Sequence, residues 1–570
     1  MTRADVAAAS VFVLSERNVD VLGAMGNHAL CPPEGPRSKC LRLAFKKPLT
    51  VPPTETAKEP QVILINSSPK NALKIFQPFL PIAVPIGLGC LAAVCEEAGI
   101  DAVYLDEQLE EDMLGAVEKA LESRSKPYIF GFSVLTAAMR AAVTLSEQLH
   151  NKYPDSVIVF GGVHPTAVPE EVLRYSHIDI VVRGEGEDTL LELYRRLKNR
   201  ESITDISGLS YRANGKIVHN PVEKDIVDIT KLPSFPYHLF SSGRYDLGFI
   251  VTSRGCPYNC IFCSNRITTG KKFRFISNDL VIKQLGELYE KHNQTVFMFL
   301  DDNFLVDKKR LYDLFEKIKQ KGWHKIMRFS CQGRGDNIDR PLLEAMYEAG
   351  FKNIFFGIET ASERLMATIK KGETVQEIVD AVNMAKDVGL FVSATFIFGL
   401  PTETHEDRMD AIRLAKRLRL DQVRFNNATP YPGTELYDIA RSQNRLMIQG
   451  EYDNFSAVST FIESPFNPVP FSYCPPGSTE AEIRDDILFA YLAFYWDYKK
   501  LIEIFTKPGQ GAKWFSAGSE LKTILMKVPA LIHLFSMMGI KISQMFWHVL
   551  SRKNKKLKFK EIVDVLLHRF

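Results

Sequence analysis

The sequence predicts an α/β protein with two successive parallel-sheet domains and a helical C-terminal region. Two series of predicted strands, separated by helical patterns, support this prediction, because alternating strands and helices form parallel sheets with right-handed crossovers. The first series indicates a doubly wound, Rossmann-like domain. The second indicates a partial (β/α)6 barrel. With 45% hydrophobic and 24% charged residues in 570, the composition is that of an ordinary globular protein.

Five segments are predicted, in this order: a disordered extension, 1–58; the doubly wound domain, 59–200; a linker with a hairpin, 201–247; the partial barrel, 248–445; and a helical C-terminal region, 446–570. The first segment has many prolines and no clear periodicity, which is typical of disorder. In the linker, Asn214-Gly215 is typical of a two-residue hairpin turn.

The doubly wound domain is predicted to contain five strands, at residues 62–65, 102–105, 128–132, 157–160 and 178–182. Short apolar runs of this kind are typical of strands that are buried on both faces. A domain of this class binds its ligand at the carboxyl ends of its strands. Glycines in Gly161-Gly162 and at Gly184 and Gly186 stand at such ends, where they let a large flat ligand approach the backbone.

The partial barrel is predicted to contain six strands, at residues 249–255, 295–300, 327–332, 353–357, 392–398 and 422–426. Barrel enzymes place their chemistry at the carboxyl ends of their strands. The first strand delivers a run of three cysteines to that end. Polar side chains follow the next three strands, namely Asp301, Asp302, Gln332, Arg334 and Glu359.

The three cysteines, Cys256, Cys260 and Cys263, have the spacing C-x3-C-x2-C. Three thiolates on one loop can hold three irons of a [4Fe-4S] cluster and leave the fourth iron open to a substrate. A zinc knuckle is the alternative, but it needs four ligands, and the next cysteine along the chain is Cys331. A structural disulfide does not suit a chain that otherwise reads as cytosolic.

This motif, with Phe262 before its third cysteine, resembles the signature of the radical S-adenosylmethionine (SAM) enzymes. Three later segments resemble other parts of that family: G-I-E-T at 357–360, G-L-P-T-E-T at 399–404 and P-Y-P-G-T at 430–434. Thr402 stands where the family usually has glycine. The resemblance implies that SAM chelates the open iron, that its reductive cleavage releases a 5'-deoxyadenosyl radical, and that Asp301, Asp302, Gln332, Arg334 and Glu359 contact SAM.

The doubly wound domain resembles the cobalamin-binding domain that precedes many radical SAM domains. The resemblance lies in the series I-G-L-G-C-L at 86–91, F-G-G-V-H-P at 160–165 and R-G-E-G-E at 183–187. It implies corrin contacts from Ser133, Gly161, Gly162, His164 and Gly186. Many such domains coordinate cobalt through the histidine of D-x-H-x-x-G. Here Gln108 replaces the histidine and Glu111 the glycine, so this loop supplies no histidine ligand.

Together these resemblances imply a cobalamin-dependent radical SAM enzyme. The expected reaction is methylation of an unactivated carbon by way of the 5'-deoxyadenosyl radical and methylcobalamin. A cyclase or rearrangement enzyme with the same cofactors is the alternative. A cobalamin-binding sensor with a structural iron-sulfur cluster is the alternative that is not an enzyme.

The expected partners are a small-molecule or lipid substrate and an external electron donor of the flavodoxin or ferredoxin type. Nucleic acid is not expected, because the net charge is only +3. A cytoplasmic location suits free thiols and an oxygen-sensitive cluster. A basic run contains Arg552, Lys553, Lys555, Lys556, Lys558 and Lys560. Such a run is usually a solvated face, and a peripheral contact with an anionic membrane surface is the more specific alternative.

Overall fold

The computed structural model describes residues 59–68, 82–222, 227–241, 243–496 and 521–567. The extension predicted for residues 1–58 therefore lies outside the described residues. The strands are β1 Gln61–Asn66, β2 Ala102–Asp106, β3 Tyr128–Ser133, β4 Val157–Gly161, β5 Ile180–Val182, β6 Leu209–Ala213, β7 Lys216–His219, β8 Phe249–Ile250, β9 Ser253–Arg254, β10 Arg274–Phe275, β11 Val296–Phe299, β12 Arg328–Gly333, β13 Phe351–Glu359, β14 Phe391–Phe398 and β15 Gln422–Asn427.

The helices are α1 Ile86–Glu97, α2 Met113–Leu121, α3 Met139–Lys152, α4 Val163–Ala167, α5 Pro169–Val172, α6 Glu187–Asn199, α7 Asn265–Thr268, α8 Asn278–His292, α9 Lys308–Gln320, α10 Arg340–Glu348, α11 Glu363–Thr368, α12 Val375–Val388, α13 His405–Arg417, α14 Glu435–Ser442, α15 Ser459–Ile462, α16 Glu480–Tyr495, α17 Leu521–Leu550 and α18 Phe559–Leu566. Capping boxes begin three of these helices, at Thr374, Thr404 and Thr479. In each, the threonine hydroxyl and an acidic side chain three residues later satisfy amide groups that the first turn leaves free.

The first sheet confirms the doubly wound prediction. Its parallel strands lie in the order β2-β1-β3-β4-β5, so the order reverses between β1 and β3. One apolar face packs on α2 and α3, and the other packs on α1 and α6. Strands that are covered on both sides must be apolar throughout, which explains the short hydrophobic runs in the sequence.

The hairpin predicted in the linker extends this sheet. Strand β6 pairs antiparallel with β5, and β7 pairs with β6, so the hairpin forms the edge of the sheet. Asn214 and Gly215 both have positive φ, at 50° and 74°, as a two-residue turn of the primed type requires. The sequence predicted the hairpin from this turn, but the pairing with β5 depends on contacts between separate segments.

The second sheet confirms the partial barrel. Its six strands are parallel and follow the order β8-β11-β12-β13-β14-β15. A large apolar core joins the outer faces of these strands to the helices, with residues such as Phe299, Phe329 and Phe351 buried within it. The carboxyl ends of all six strands therefore lie at one end of the barrel, where the cysteines emerge.

Two tyrosines of α16 cover the open edge strand β15. The Val423 amide donates to the Tyr495 hydroxyl at 3.0 Å, and that hydroxyl donates to the Val423 carbonyl at 2.9 Å. Tyr491 makes the equivalent contacts with Phe425. An uncovered edge would expose unpaired backbone groups, so the phenols replace a missing seventh strand.

The described part of the C-terminal region contains α15 to α18, which confirms that it is helical, and α16 contacts α13, β15 and α17. Met537, Lys541, Met545 and Val549 form the buried side of α17. Among the described helices, none is both long and apolar enough to cross a membrane.

Candidate active site

The cysteine loop, residues 256–263, follows a sharp turn at Gly255. Gly255 has φ +85°, and a Cβ atom there would lie 2.3 Å from the Lys272 carbonyl oxygen, so only glycine fits. The centre of the loop is fixed by backbone bonds, because the Ile261 amide donates to Ile369 at 3.1 Å and its carbonyl accepts from Leu436 at 2.9 Å. Ile261 itself is buried in the barrel core.

The three loop cysteines are half-buried and none forms a disulfide. Burial raises the pKa of each thiol, and that of Cys263 to about 11. Ligation needs thiolates, so iron binding must release protons from this loop. Within the described residues, no three His, Cys, Asp or Glu side chains converge on one metal ion. A four-iron cluster does not require such convergence, because each cysteine binds a different iron.

Asp301 and Asp302 hold the base of this loop. Asp301 is buried and accepts hydrogen bonds from the Thr252 amide at 2.8 Å and the Ser253 hydroxyl at 2.7 Å. Asp302 accepts from the Gly255 amide at 3.1 Å and from Asn265 at 2.7 Å. Both carboxylates thus bind protein groups, although the sequence suggested them as SAM contacts.

Arg334 lies beside the cysteine loop at the end of β12. Its guanidinium donates to Cys260 Sγ at 4.0 Å and stacks on the Tyr258 ring at 3.4 Å. It also forms an ion pair with Asp336 at 3.0 Å. A cation at this distance favours a thiolate at Cys260. Gln332, on the same strand, is half-buried.

A buried ion-pair cluster adjoins Arg334. Lys371 Nζ lies 3.3 Å from Glu359 Oε1 and 3.4 Å from Glu373 Oε1. Glu359 has the unusual φ of +67° and its Oε2 is buried without a hydrogen-bond partner. Strain and an unsatisfied charged oxygen at a strand end are typical of a ligand site. The sequence indicated Glu359 but not Lys371 or Glu373, which lie between two helices instead of after a strand.

A cleft of about 650 Å³ lies between the carboxyl ends of the two sheets. From the doubly wound domain it is lined by strand-end residues that include Ser133, Gly161, Gly162 and Gly186. From the barrel it is lined by Val251, Ser253, Arg254, Leu300 and Asp302. The structure therefore brings four of the predicted corrin contacts to the base of the cysteine loop.

The lining of the cleft suits a large flat ligand. Six glycines line it from the doubly wound domain: Gly87, Gly131, Gly161, Gly162, Gly184 and Gly186. A Cβ atom on Gly162 would approach the Val134 backbone to 3.0 Å, so this turn and the close backbone approach both need glycine. These residues fit a corrin ring, and the free cysteine loop fits an iron-sulfur cluster.

His164 does not join the other predicted corrin contacts in this lining. It is 1% exposed, its ring packs on Tyr452 at 4.7 Å, and its Nδ1 lies 3.3 Å from the Thr136 hydroxyl. Burial lowers the pKa of His164 to about 4, so the imidazole is neutral near pH 7. The preceding residues Gly162 and Val163 do line the cleft. His164 does not, because a helix begins at Val163 and directs the next side chain into the protein interior.

Gln108 lies in the cleft at the position of the missing histidine. Its amide nitrogen donates to Asp106 Oδ2 at 3.1 Å, and Tyr245 also donates to that oxygen at 2.9 Å. A glutamine amide held in this way offers no imidazole nitrogen to a metal.

We therefore expect no histidine nitrogen to bind cobalt. Cob(II)inamide, which lacks the benzimidazole nucleotide of cobalamin, should show no nitrogen superhyperfine splitting in its electron paramagnetic resonance spectrum when the protein binds it. Gln108→His should introduce the splitting, since it restores a neutral imidazole to this loop. A nitrogen triplet in the unchanged protein would contradict the expectation. His164→Ala would then show whether His164 is the source.

Two family models match the chain. The radical SAM superfamily model matches residues 250–415, and the B12 binding domain model matches residues 76–194. The "Uncharacterized methyltransferase PH0819" of Pyrococcus horikoshii is 34% identical over 75% of this chain and 91% of its own length. The anaerobic magnesium-protoporphyrin IX monomethyl ester cyclase of Rubrivivax gelatinosus is 22% identical over 75% of this chain and 77% of its own.

The fold is also similar to that of a solved structure. The cobalamin-dependent SAM radical enzyme OxsB, with aqua-cobalamin and SAM bound, has a TM-score of 0.61 at 17% identity, over 90% of this chain and 84% of its own. With both family models, the cysteine loop and the shared cleft in agreement, the chain belongs to the radical SAM enzymes that carry a cobalamin-binding domain and use a [4Fe-4S] cluster, SAM and cobalamin.

Proposed function

We propose that this enzyme methylates an unactivated carbon of a small-molecule substrate. The observation that carries the proposal is the cleft, in which strand-end glycines of one domain face the base of the cysteine loop in the other. Group transfer needs reacting atoms within about 3–3.5 Å, so the two cofactor sites must open into one space. When bound there, the cofactors supply a carbon-centred radical for hydrogen abstraction and a methyl group on cobalt.

The contributions of the chain are ligation, orientation and exclusion of water. Cys256, Cys260 and Cys263 would hold the cluster, and Asp302 holds the turn that presents them. Arg334 and Glu359, with Lys371, would contact SAM beside Cys260, because a buried mixture of cations and carboxylates suits its charged amino-acid part. Ser133, Gly161, Gly162 and Gly186 would contact the corrin.

A substrate-free experiment tests the methylation reaction. The reconstituted, reduced protein is incubated with cobalamin and SAM labelled in its methyl group. We expect label in the corrinoid fraction and 5'-deoxyadenosine as a second product. 5'-Deoxyadenosine without label on the corrinoid would favour a cyclase or rearrangement enzyme, and the cyclase similarity over 75% of the chain supports that alternative.

Radical SAM enzymes need a reductant, and we propose an external donor of the flavodoxin or ferredoxin type. The sequence contains no second cysteine motif for an electron-relay cluster, so we expect electrons to reach the loop cluster from a separate protein. Reduction of the reconstituted cluster by flavodoxin with its reductase, followed by SAM cleavage, tests this proposal.

We also propose a peripheral contact with an anionic membrane surface through the C-terminal region. On the outer side of α17, Ile532, Phe535, Trp547 and Leu550 are each at least 60% exposed, opposite the buried side. The exposed basic residues of the run begin directly after this helix, with Arg552 and Lys553. Each cation near such a surface contributes about 1 kcal/mol, and exposed aromatic side chains insert at the interface.

We expect the protein to bind vesicles that contain phosphatidylserine and not vesicles of phosphatidylcholine alone. The double variant Phe535→Glu with Trp547→Glu should abolish binding, because binding would then bury two carboxylates at the boundary between lipid headgroups and acyl chains. The matched control is Ile326→Glu, an exposed apolar residue of the barrel. Equal binding to both vesicle types would contradict the proposal. A change in sedimentation coefficient in the double variant, without vesicles, would instead identify the face as an interface between copies of the chain.

A further inference from the structure

Four charged side chains bridge the two domains beside the cleft. Arg254 and Arg274 belong to the barrel domain. Glu185 lies in the loop after β5 and Glu187 is the first residue of α6, and both line the cleft. We call these four residues the bridging network. Their side chains are 15%, 9%, 6% and 5% exposed, in that order.

Each arginine of the bridging network donates two hydrogen bonds to glutamate carboxylates. Arg254 donates to Glu185 at 3.1 Å and to Glu187 at 2.7 Å. Arg274 donates to both oxygens of Glu185, at 2.7 and 3.0 Å. The two arginines lie side by side because β9 and β10 pair Arg254 with Arg274. Two positive and two negative charges therefore balance in a largely buried site.

Each side of the bridging network continues directly into a cofactor site. Arg254 is followed by Gly255 and Cys256, so its position sets where the cysteine loop begins. Glu185 and Glu187 flank Gly186, one of the glycines that line the cleft. Cys90 of α1 also lines the cleft near Arg254. Moving either loop would separate buried charges, and such separation is costly.

On the basis of the proposed function, we propose that Arg254 is a positioning residue that couples the two cofactor sites. It holds the corrin loop and the start of the cysteine loop in one arrangement, so that assembly of the cluster tightens cobalamin binding. By linkage, cobalamin then strengthens retention of the cluster by the same factor.

The experiment measures the dissociation constant of hydroxocobalamin for the full chain, with the cluster assembled and after its removal by a chelator. In the unchanged protein we expect cobalamin to bind at least about 5-fold tighter with the cluster present, at the low end of usual coupling. Arg254→Gln should bring this ratio close to one, and Arg254→Lys should restore part of it. Glu187→Gln is a second test if Arg254→Gln fails to fold.

Arg140→Gln is the matched control. Arg140 also forms an ion pair with a distant segment, at Asp453, but its side chain is 58% exposed and it lies outside the cleft lining. The control should keep the full ratio. A ratio near one in the unchanged protein, or a full ratio in folded Arg254→Gln and Glu187→Gln, would overturn the inference. Failure to bind either cofactor at all would instead refute the proposed function.

Discussion

Replacing Cys256, Cys260 and Cys263 together with alanine is expected to abolish cluster assembly and all reductive cleavage of SAM. The loop thiolates are the cluster's proposed protein ligands, and the cysteine loop contains no other cysteine and no histidine. Anaerobic reconstitution followed by iron counting should give about four irons in the unchanged protein and essentially none in the variant. Formation of 5'-deoxyadenosine should fall below detection.

The control removes three thiols that lie elsewhere. Cys95, Cys331 and Cys474 are buried in apolar surroundings, and burial raises their pKa. Alanine at these positions should lower the stability of the fold but preserve the iron content and the spectrum of the reduced cluster. If the loop variant still bound about four irons, the cluster site would have to lie outside residues 256–263.

A size series at Gly186 is expected to abolish cobalamin binding stepwise. Gly186 has an ordinary φ of −99°, and a Cβ atom there would meet only Leu91 at 3.5 Å and Val182 at 3.8 Å. Gly186→Ala should therefore fold and bind cobalamin with little loss. Gly186→Leu and Gly186→Phe should fold as well but fill the cleft, and cobalamin retained after gel filtration, measured by absorbance, should fall to background.

The thermal unfolding temperature of the cobalamin-free protein controls for misfolding. It should change little along the series, because added side-chain atoms would occupy the cleft and not the packed core. Full cobalamin binding by Gly186→Phe would show that the corrin does not occupy this cleft. The cysteine loop should assemble its cluster in every member of the series.

Local patterns explain what could be predicted from the sequence. The strands of the first sheet are short apolar runs, because helices cover both of its faces. Strands of the second sheet such as β12 and β15 instead alternate buried and half-buried residues, because helices cover only their outer face. The cysteine spacing predicts an iron-sulfur site, since all three thiols lie on one loop. The sequence also predicted that this loop supplies no histidine ligand, because Gln108 stands at the histidine position of a short motif.

Contacts between distant segments could not be predicted in this way. Asp301 resembled a ligand-binding carboxylate, but its partners Thr252 and Ser253 lie nearly fifty positions earlier and bury it. His164 follows two cleft glycines, yet the helix that begins at Val163 turns its ring towards Tyr452. In both cases, the side chain's environment depends on residues that no local pattern includes.

The sequence by itself determined the two sheet domains, the cysteine loop and the glycines at the strand ends, because each depends on residues close together in the chain. Only the tertiary structure decided that the strand ends of both domains share one cleft and that Lys371 and Glu373 adjoin Arg334. It also decided that Arg254 meets Glu185 and Glu187. The physical reason is that the energy of a buried ion pair depends on the distance between the two charges and on their removal from water. Neither quantity follows from the separation of the residues along the chain.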